Sequence, residues 1–188
     1  MKALIISDIH DHLSNLNRVL THHAASECDV LLCCGDLCSP FVVDIVHELW
    51  KGPAHMVFGN NDGDRFMISK KVHNANTGRV GSNRIQLHGE YLFKEAGVVM
   101  EGMPDEIILT MTHYPDIASR LSGKPGRQLI TYGHSHIPDL KISGDTLIVN
   151  PGSVMGYIPS EKKTTAPSFT VVDMRELKAD LIQIDGDE

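Results

Sequence analysis

The chain has 188 residues, of which 41% are hydrophobic and 22% charged, the profile of a globular domain large enough to bury a core. A formal net charge of −7 excludes the broad basic surface that grips nucleic acid regardless of sequence, so an anionic substrate needs a local positive feature. No apolar run approaches the ~18 residues that span a bilayer. The opening "MKALIISDIH" turns polar too soon for a signal peptide, and the expected location is cytoplasmic.

Residues 1–188 read as a single domain whose first half alternates strands with helices. "ALIIS" predicts a buried strand, and the stretch from Ser14 to about Ala25 places Leu16, Val19 and Leu20 on one helical face. "DVLLCC" is a second strand. Ser39-Pro40 then predicts an N-cap and first-turn proline for a helix carrying Val42, Val43, Ile45, Val46 and Leu49. "HMVF" is a third strand, and Asp62 or Asp64 caps a helix running toward Val72. Strands alternating with helices imply parallel pairing through right-handed crossovers.

The second half changes character. "RIQLH", "YLFKEA" and "GVVME" are short, glycine-linked and expected to be antiparallel. "IILTMTH" is a buried strand followed by a short helix from Asp116 to Leu121. "QLITYGHSH", "TLIVNPGS", "SFTVVDM" and "ADLIQI" complete the strand candidates, and "IPSEKKTTAP" (158–167) is expected to be the most exposed and mobile loop. The expected fold class is α/β, two facing sheets with helices outside. Cys28, Cys33, Cys34 and Cys38 contain no C-x-x-C pair and follow no export signal; they read as small apolar residues rather than zinc ligands or disulfides. Cys38, just past a candidate site loop, is the one to watch.

In an open α/β sheet, ligands bind beyond the carboxyl ends of the strands. Six strand ends here empty into metal-capable or turn-forming residues: Asp8 and His10, Gly35-Asp36, Gly59-Asn60-Asn61-Asp62, His113, Gly133-His134-Ser135-His136, and Asn150-Pro151-Gly152-Ser153. One aspartate at a strand end is ordinarily a helix cap, and isolated histidines such as His22, His23, His47, His55, His73 and His88 are assigned no role. Agreement among six ends is different. Asp8, His10, Asp36, Asn60, His113, His134 and His136 make seven donors, enough for two metals with four ligands each if Asp36 bridges, leaving positions open for water and substrate.

The donors are carboxylates, imidazoles and one amide oxygen, which suits two divalent metal ions of the Mn, Fe, Co, Ni or Zn kind better than Ca and does not choose among them. Two such ions bring four positive charges, the two aspartates remove two, and a bridging hydroxide leaves roughly one, facing a monoanionic phosphodiester. Phosphoryl hydrolysis is the chemistry this set serves.

Asp8-x-His10, Gly35-Asp36, Gly59-Asn60, His113 and Gly133-His134-x-His136 resemble, in order, the signature blocks of the calcineurin-like metallophosphoesterases. The spacing, the missing cap insertion and "NPGS" look most like the small uncapped YfcE-type phosphodiesterases. The resemblance implies a four-layer α/β/β/α sandwich with a binuclear metal centre, one metal taking Asp8, His10, Asp36 and His136, the other Asp36, Asn60, His113 and His134. Many such enzymes carry a histidine directly after the asparagine ligand. Asn61 stands there, a hydrogen-bond donor to substrate that cannot act as general acid near neutral pH. His12 is the alternative proton donor, with a helix-start role equally open. Asp62 reads as a helix cap or partner of the ligands. Ser153 could offer its hydroxyl to a phosphate oxygen or simply form a turn.

The resemblance therefore implies a metal-dependent phosphodiesterase with a small phosphate-ester substrate and a homo-oligomeric assembly. The alternatives are a phosphomonoesterase or nucleotidase using the same metals, and a catalytically weak interaction scaffold like the retromer subunit of this fold. All seven donors are present, which favours an enzyme.

Overall fold

The computed structural model describes residues 1–77, 84–95, 103–122 and 125–185. Strands β1 (Lys2–Ile6), β2 (Val30–Cys33), β3 (Ala54–Met56) and β4 (Ile85–Leu87) run parallel, joined by α1 (Leu13–Leu20), α2 (His23–Ser26), α3 (Phe41–Leu49) and α4 (Arg65–Ala75). A second sheet begins with the antiparallel pair β5 (Tyr91–Lys94) and β6 (Ile108–Thr112). It continues in parallel through β7 (Gln128–Thr131), preceded by α5 (Pro115–Leu121), and ends on the hairpin of β8 (Asp139–Ser143) and β9 (Thr146–Asn150). A small hairpin, β10 (Tyr157–Ile158) with β11 (Lys163–Thr164), precedes β12 (Ser168–Asp173) and β13 (Lys178–Gln183), which return antiparallel to the first sheet. The strand orders are β13-β12-β1-β2-β3-β4 and β5-β6-β7-β9-β8.

Alternation along the strands explains the layers, because successive side chains point to opposite faces. Leu4 and Ile6 of β1, with Leu31 and Cys33 of β2, join Leu16, Val19, Val42, Val43, Val46 and Ile68 in a core beneath the helices. Ala3, Ile5, Val30 and Leu32 point the other way and meet Leu109, Met111, Leu129, Leu147 and Val149 from the second sheet. Two mixed sheets thus pack face to face, and because β1, β2, β3, β6, β7 and β9 are buried on both faces they read as continuous apolar runs. Their carboxyl ends emerge on one edge.

Several expectations need correction. The helix expected over Ser14 to Ala25 is two: α1 ends at Leu20, and His22, in extended conformation (ψ 143°), caps α2. Ser39 is not the cap of α3, since Pro40 holds that position without a side-chain bond and the Ser39 hydroxyl turns to Asp11. β4 is parallel to β3, not antiparallel. The hairpin strand β8 was missed because four of its five residues are exposed and its pattern, "DLKIS", carries no buried stripe. The segment 158–167, expected as a loop, carries most of the β10–β11 hairpin, which begins at Tyr157. Of the two candidate caps for α4, Asp64 is the one used, its Oδ1 accepting from Met67 N at 3.0 Å. The strand candidate "GVVME" lies outside the described residues.

Candidate metal centre

All seven sequence-predicted donors converge at that edge. His10 Nε2 lies 3.1 Å from His136 Nε2, 3.3 Å from Asp36 Oδ2 and 4.0 Å from Asp8 Oδ1, and His136 Nε2 is 3.3 Å from Asp8 Oδ1. One ligand atom from each of Asp8, His10, Asp36 and His136 falls within 4.8 Å of all the others. Beside them, His113 Nε2 lies 3.4 Å from Asp36 Oδ2 and 3.0 Å from Asn60 Oδ1, while His134 Nδ1 is 2.8 Å from the same amide oxygen and 3.3 Å from His113 Nε2. Asp36 therefore sits between two clusters.

The chain bends sharply to deliver these groups. Asp8, His10, Asp36, His134 and His136 all have positive φ, between 46° and 73°, a region that costs a non-glycine residue of order 1 kcal/mol each. Glycines precede three of the donors because nothing larger fits. A Cβ on Gly59 would stand 2.2 Å from Asp36 Oδ1, and one on Gly133 1.9 Å from Ser7 Oγ and 2.8 Å from Asp8 Oδ2.

Outer contacts fix which nitrogen faces inward. His136 Nδ1 donates to the Tyr157 carbonyl at 2.6 Å, leaving Nε2 as a lone pair toward the cluster. His113 Nδ1 is anchored at 2.9 Å on the Cys34 carbonyl. Asp62, taken from sequence as a cap or partner, proves to be a clamp. Its Oδ2 accepts from Gly59 N at 2.6 Å and Asp36 N at 3.1 Å, and its Oδ1 from Cys38 N at 2.7 Å, so one buried carboxylate ties two ligand loops together. Arg65 reinforces the second loop, donating from Nη2 to the Gly59 carbonyl at 3.0 Å.

Burial pushes the Asp8 carboxyl up to about 7, only partly opposed by the charge of His113. Burial acts on Asp36 in the same direction, but bonds from His113 and Asn61 outweigh it and hold Asp36 well below the usual carboxylate range. Desolvation takes His136 down to about 4. Two buried carboxylates, and imidazole lone pairs 3 Å apart, are costly unless a cation lies among them. Ligands ~2.1 Å from one metal lie ~3–4 Å from one another, which is the spacing observed. The donor set fits divalent cations.

A cavity of about 410 Å³ opens over this cluster, lined by His10, Asp36, Asn60, Asn61, His134, Ser135, His136, Pro159 and Ser160. Pro159 and Ser160 come from the β10–β11 hairpin, a wall that sequence patterning could not place. Asn61 is in the lining, with its backbone N–H donating to Asp36 Oδ1 and its side-chain amide to Oδ2, both at 2.8 Å. Two other sequence candidates lie elsewhere. Ser153 is buried and donates its hydroxyl to the Asp8 carbonyl at 2.9 Å, bracing that loop instead of facing the cavity. His12 caps α1, its Nδ1 accepting from Asn15 N at 3.3 Å.

Residues 1–176 match the Calcineurin-like phosphoesterase superfamily domain. The chain belongs to this superfamily. Among curated proteins it is similar to phosphodiesterase MJ0936 of Methanocaldococcus jannaschii, 24% identical over 173 residues that cover 92% of this chain and 93% of the relative. Among solved structures, an archaeal phosphodiesterase matches with a TM-score of 0.78 and 22% identity, covering 98% of this chain and 100% of that one. YfcE, a phosphoesterase from E. coli, matches with a TM-score of 0.64 and 22% identity over the same shares. The α/β sandwich of two mixed sheets is the phosphoesterase fold, as the sequence blocks implied.

Proposed function

We infer that the protein is a metal-dependent phosphodiesterase working on a small phosphate ester, with a binuclear centre for which manganese is the first candidate. One observation carries this reading: seven donors from five strand ends meet around a single shared carboxylate, Asp36. Asp8, His10, Asp36 and His136 would hold one cation, and Asp36, Asn60, His113 and His134 the other. When bound, such cations supply Lewis acidity and make water a nucleophile near neutral pH.

The rest is work for the chain's own groups. The Tyr157 and Cys34 carbonyls orient His136 and His113, and Asp62 keeps the Asp36 and Gly59 loops in register. Among the described residues the cavity lining contains no lysine or arginine, so the positive charge these residues leave toward substrate is what the cations supply. That favours a monoanionic diester over a dianionic monoester. Asn61 donates its backbone N–H and side-chain amide to Asp36 and cannot deliver a proton to a leaving group, so esters with activated aryl leaving groups should turn over faster than alkyl esters. We assign His12 and Ser153 to structural support, and Ser160 of the cavity lining is the hydroxyl assigned to substrate, because the Ser135 hydroxyl is engaged by Asn150 and Ile137.

No helix among the described residues is long and apolar enough to cross a membrane, and the four cysteines are free thiols, in keeping with a reducing, cytoplasmic location. A homo-oligomer, suggested by the resemblance, is checked by light scattering. The decisive experiment strips the purified protein of metal and re-supplies single cations, then measures hydrolysis of matched mono- and diesters. Manganese-dependent cleavage of the diester, with the monoester slower, is the expected result. A faster monoester would move the reading to a phosphomonoesterase, and no hydrolysis of either would leave a scaffold of this fold.

A further inference from the structure

His136 and His113 are each oriented by a backbone carbonyl; His10 is not. Among the described residues the partner of its Nδ1 is a side chain, the sulfur of Cys38, at 3.4 Å. Its Nε2, meanwhile, faces His136, Asp36 and Asp8. For Nε2 to offer a lone pair to a cation, the ring proton must sit on Nδ1, where it needs an acceptor.

The backbone at Cys38 offers a second, independent observation. Its φ is +71°, a left-handed conformation that glycine adopts freely and a cysteine only at a cost. The conformation is held by Asp62, whose Oδ1 accepts from Cys38 N at 2.7 Å. The same carboxylate holds Asp36 N and Gly59 N, so the turn that aims the sulfur is rigidly linked to two loops carrying donors. Glycine would make this turn more cheaply, and what cysteine adds is an atom pointed at His10.

We propose that Cys38 is a positioning residue for the metal centre, its sulfur accepting the Nδ1 proton of His10 so that Nε2 is presented to the cation. The inference rests on the metal-centre reading above. It makes His10 the one ligand among these three whose orientation depends on a replaceable side chain, and it gives a role to a cysteine that is neither paired nor a ligand. Partners of metal-bound histidines typically contribute 10–100-fold to metal affinity; sulfur is a weak acceptor, which places the expected effect near the lower end.

The test is Mn²⁺ titration by calorimetry on the metal-stripped full chain, comparing wild type with Cys38→Ala, Cys38→Gly and Cys38→Ser. Ala and Gly should each weaken the tighter Mn²⁺ event about 10-fold, while Ser, which keeps an acceptor, should recover most of the loss. The metal-free Cys38→Gly protein should melt at or above wild type because the left-handed strain is relieved, separating positioning from folding. Equal affinity in wild type, Ala and Gly overturns the inference and leaves the metal centre standing, as does a Ser variant as weak as Ala. A wild type that binds none of Mn²⁺, Ni²⁺, Co²⁺, Fe²⁺ or Zn²⁺ overturns both.

Discussion

Asp8, Asp36 and His136 are 0%, 1% and 3% exposed, whereas Asn60 and His134, one Asp36 carboxylate away, are exposed. The closed half holds four ligand atoms within 4.8 Å, each backed by a fixed contact. The open half contributes the exposed Asn60 amide oxygen and His134, which line the cavity along with His10 and His136, and the buried His113. A closed, doubly anionic cluster suits a cation that stays. An open cluster with one shared carboxylate suits a cation that exchanges and meets substrate. The difference predicts two metal-binding events of unequal affinity, with Asp36 common to both.

Removing the shared group should have the largest consequence. Asp36→Ala should abolish both Mn²⁺ events and lower diester hydrolysis by more than the ~10–100-fold that loss of an outer partner costs. Calorimetry and initial rates on one preparation check this, and retained turnover would break the comparison. Next is a gain. Asn61→His places a titratable imidazole at the cavity wall, and general-acid help is worth ~10²–10⁴-fold. Alkyl diesters should speed up about 10²-fold while activated aryl esters change little, and an equal change in both would show that leaving-group protonation is not what the site lacks.

Asp62→Asn weakens the clamp across both halves without touching a ligand. It should cost about 10-fold in activity, with both Mn²⁺ affinities reduced. A loss confined to one event would mean the two loops are held separately. Asn60→Ala should be more selective, weakening chiefly the looser Mn²⁺ event and leaving the tighter one within about 2-fold, since the Asn60 amide oxygen lies against His113 and His134 rather than against the donors of the closed half. Should Asn60→Ala weaken the tight event instead, the assignment of open and closed halves is reversed.

The donors were legible in sequence because the physics that places them is local. A buried parallel strand must end, a turn must follow, and only a few residue types both turn the chain and bind metal; Asp8, Asp36, His113 and the Gly133-His134-x-His136 segment all satisfy that rule. The alternation behind β1, β2, β6 and β7 was readable for the same reason. What escaped depends on distant chain segments. Nothing around Asp62 announces that its carboxylate will collect three N–H groups, two of them on the 36–38 loop. The Tyr157 carbonyl and the Pro159–Ser160 wall come from a hairpin whose residues look like solvent-exposed loop. Ser153 carried a plausible phosphate-binding hydroxyl, and its burial against the Asp8 carbonyl is a tertiary fact. β8 was lost because an edge strand exposed along most of its length has no hydrophobic period to detect.

A last prediction concerns stability, and it tests how the closed half is held before metal arrives. Burial raises the Asp8 carboxyl from 3.8 to about 7. A raised value means the folded state binds a proton the unfolded chain has released, so this contribution is complete below about pH 4 and is lost as pH climbs through 7. His136 works from the other side. Its value falls from 6.5 to about 4, so stability from burying it neutral is present above about pH 6.5 and is lost as pH falls toward 4. Between about pH 4 and 6.5 the two contributions have opposite slopes and largely offset one another, and above about pH 7 chelator-treated protein has lost the whole Asp8 contribution. Asp8→Asn removes the buried charge and should raise the melting temperature of chelated protein at about pH 8 by several degrees, an effect of at most ~4 kcal/mol. The same variant should lose the tighter Mn²⁺ event, because the carboxylate that destabilises the metal-free fold is the one the cation uses. If Asp8→Asn melts lower than wild type at every pH, the bonds His134 N makes to both Asp8 oxygens, at 3.2 and 3.1 Å, outweigh the cost of the buried charge, and the closed half is held together by its own hydrogen bonds before any cation binds.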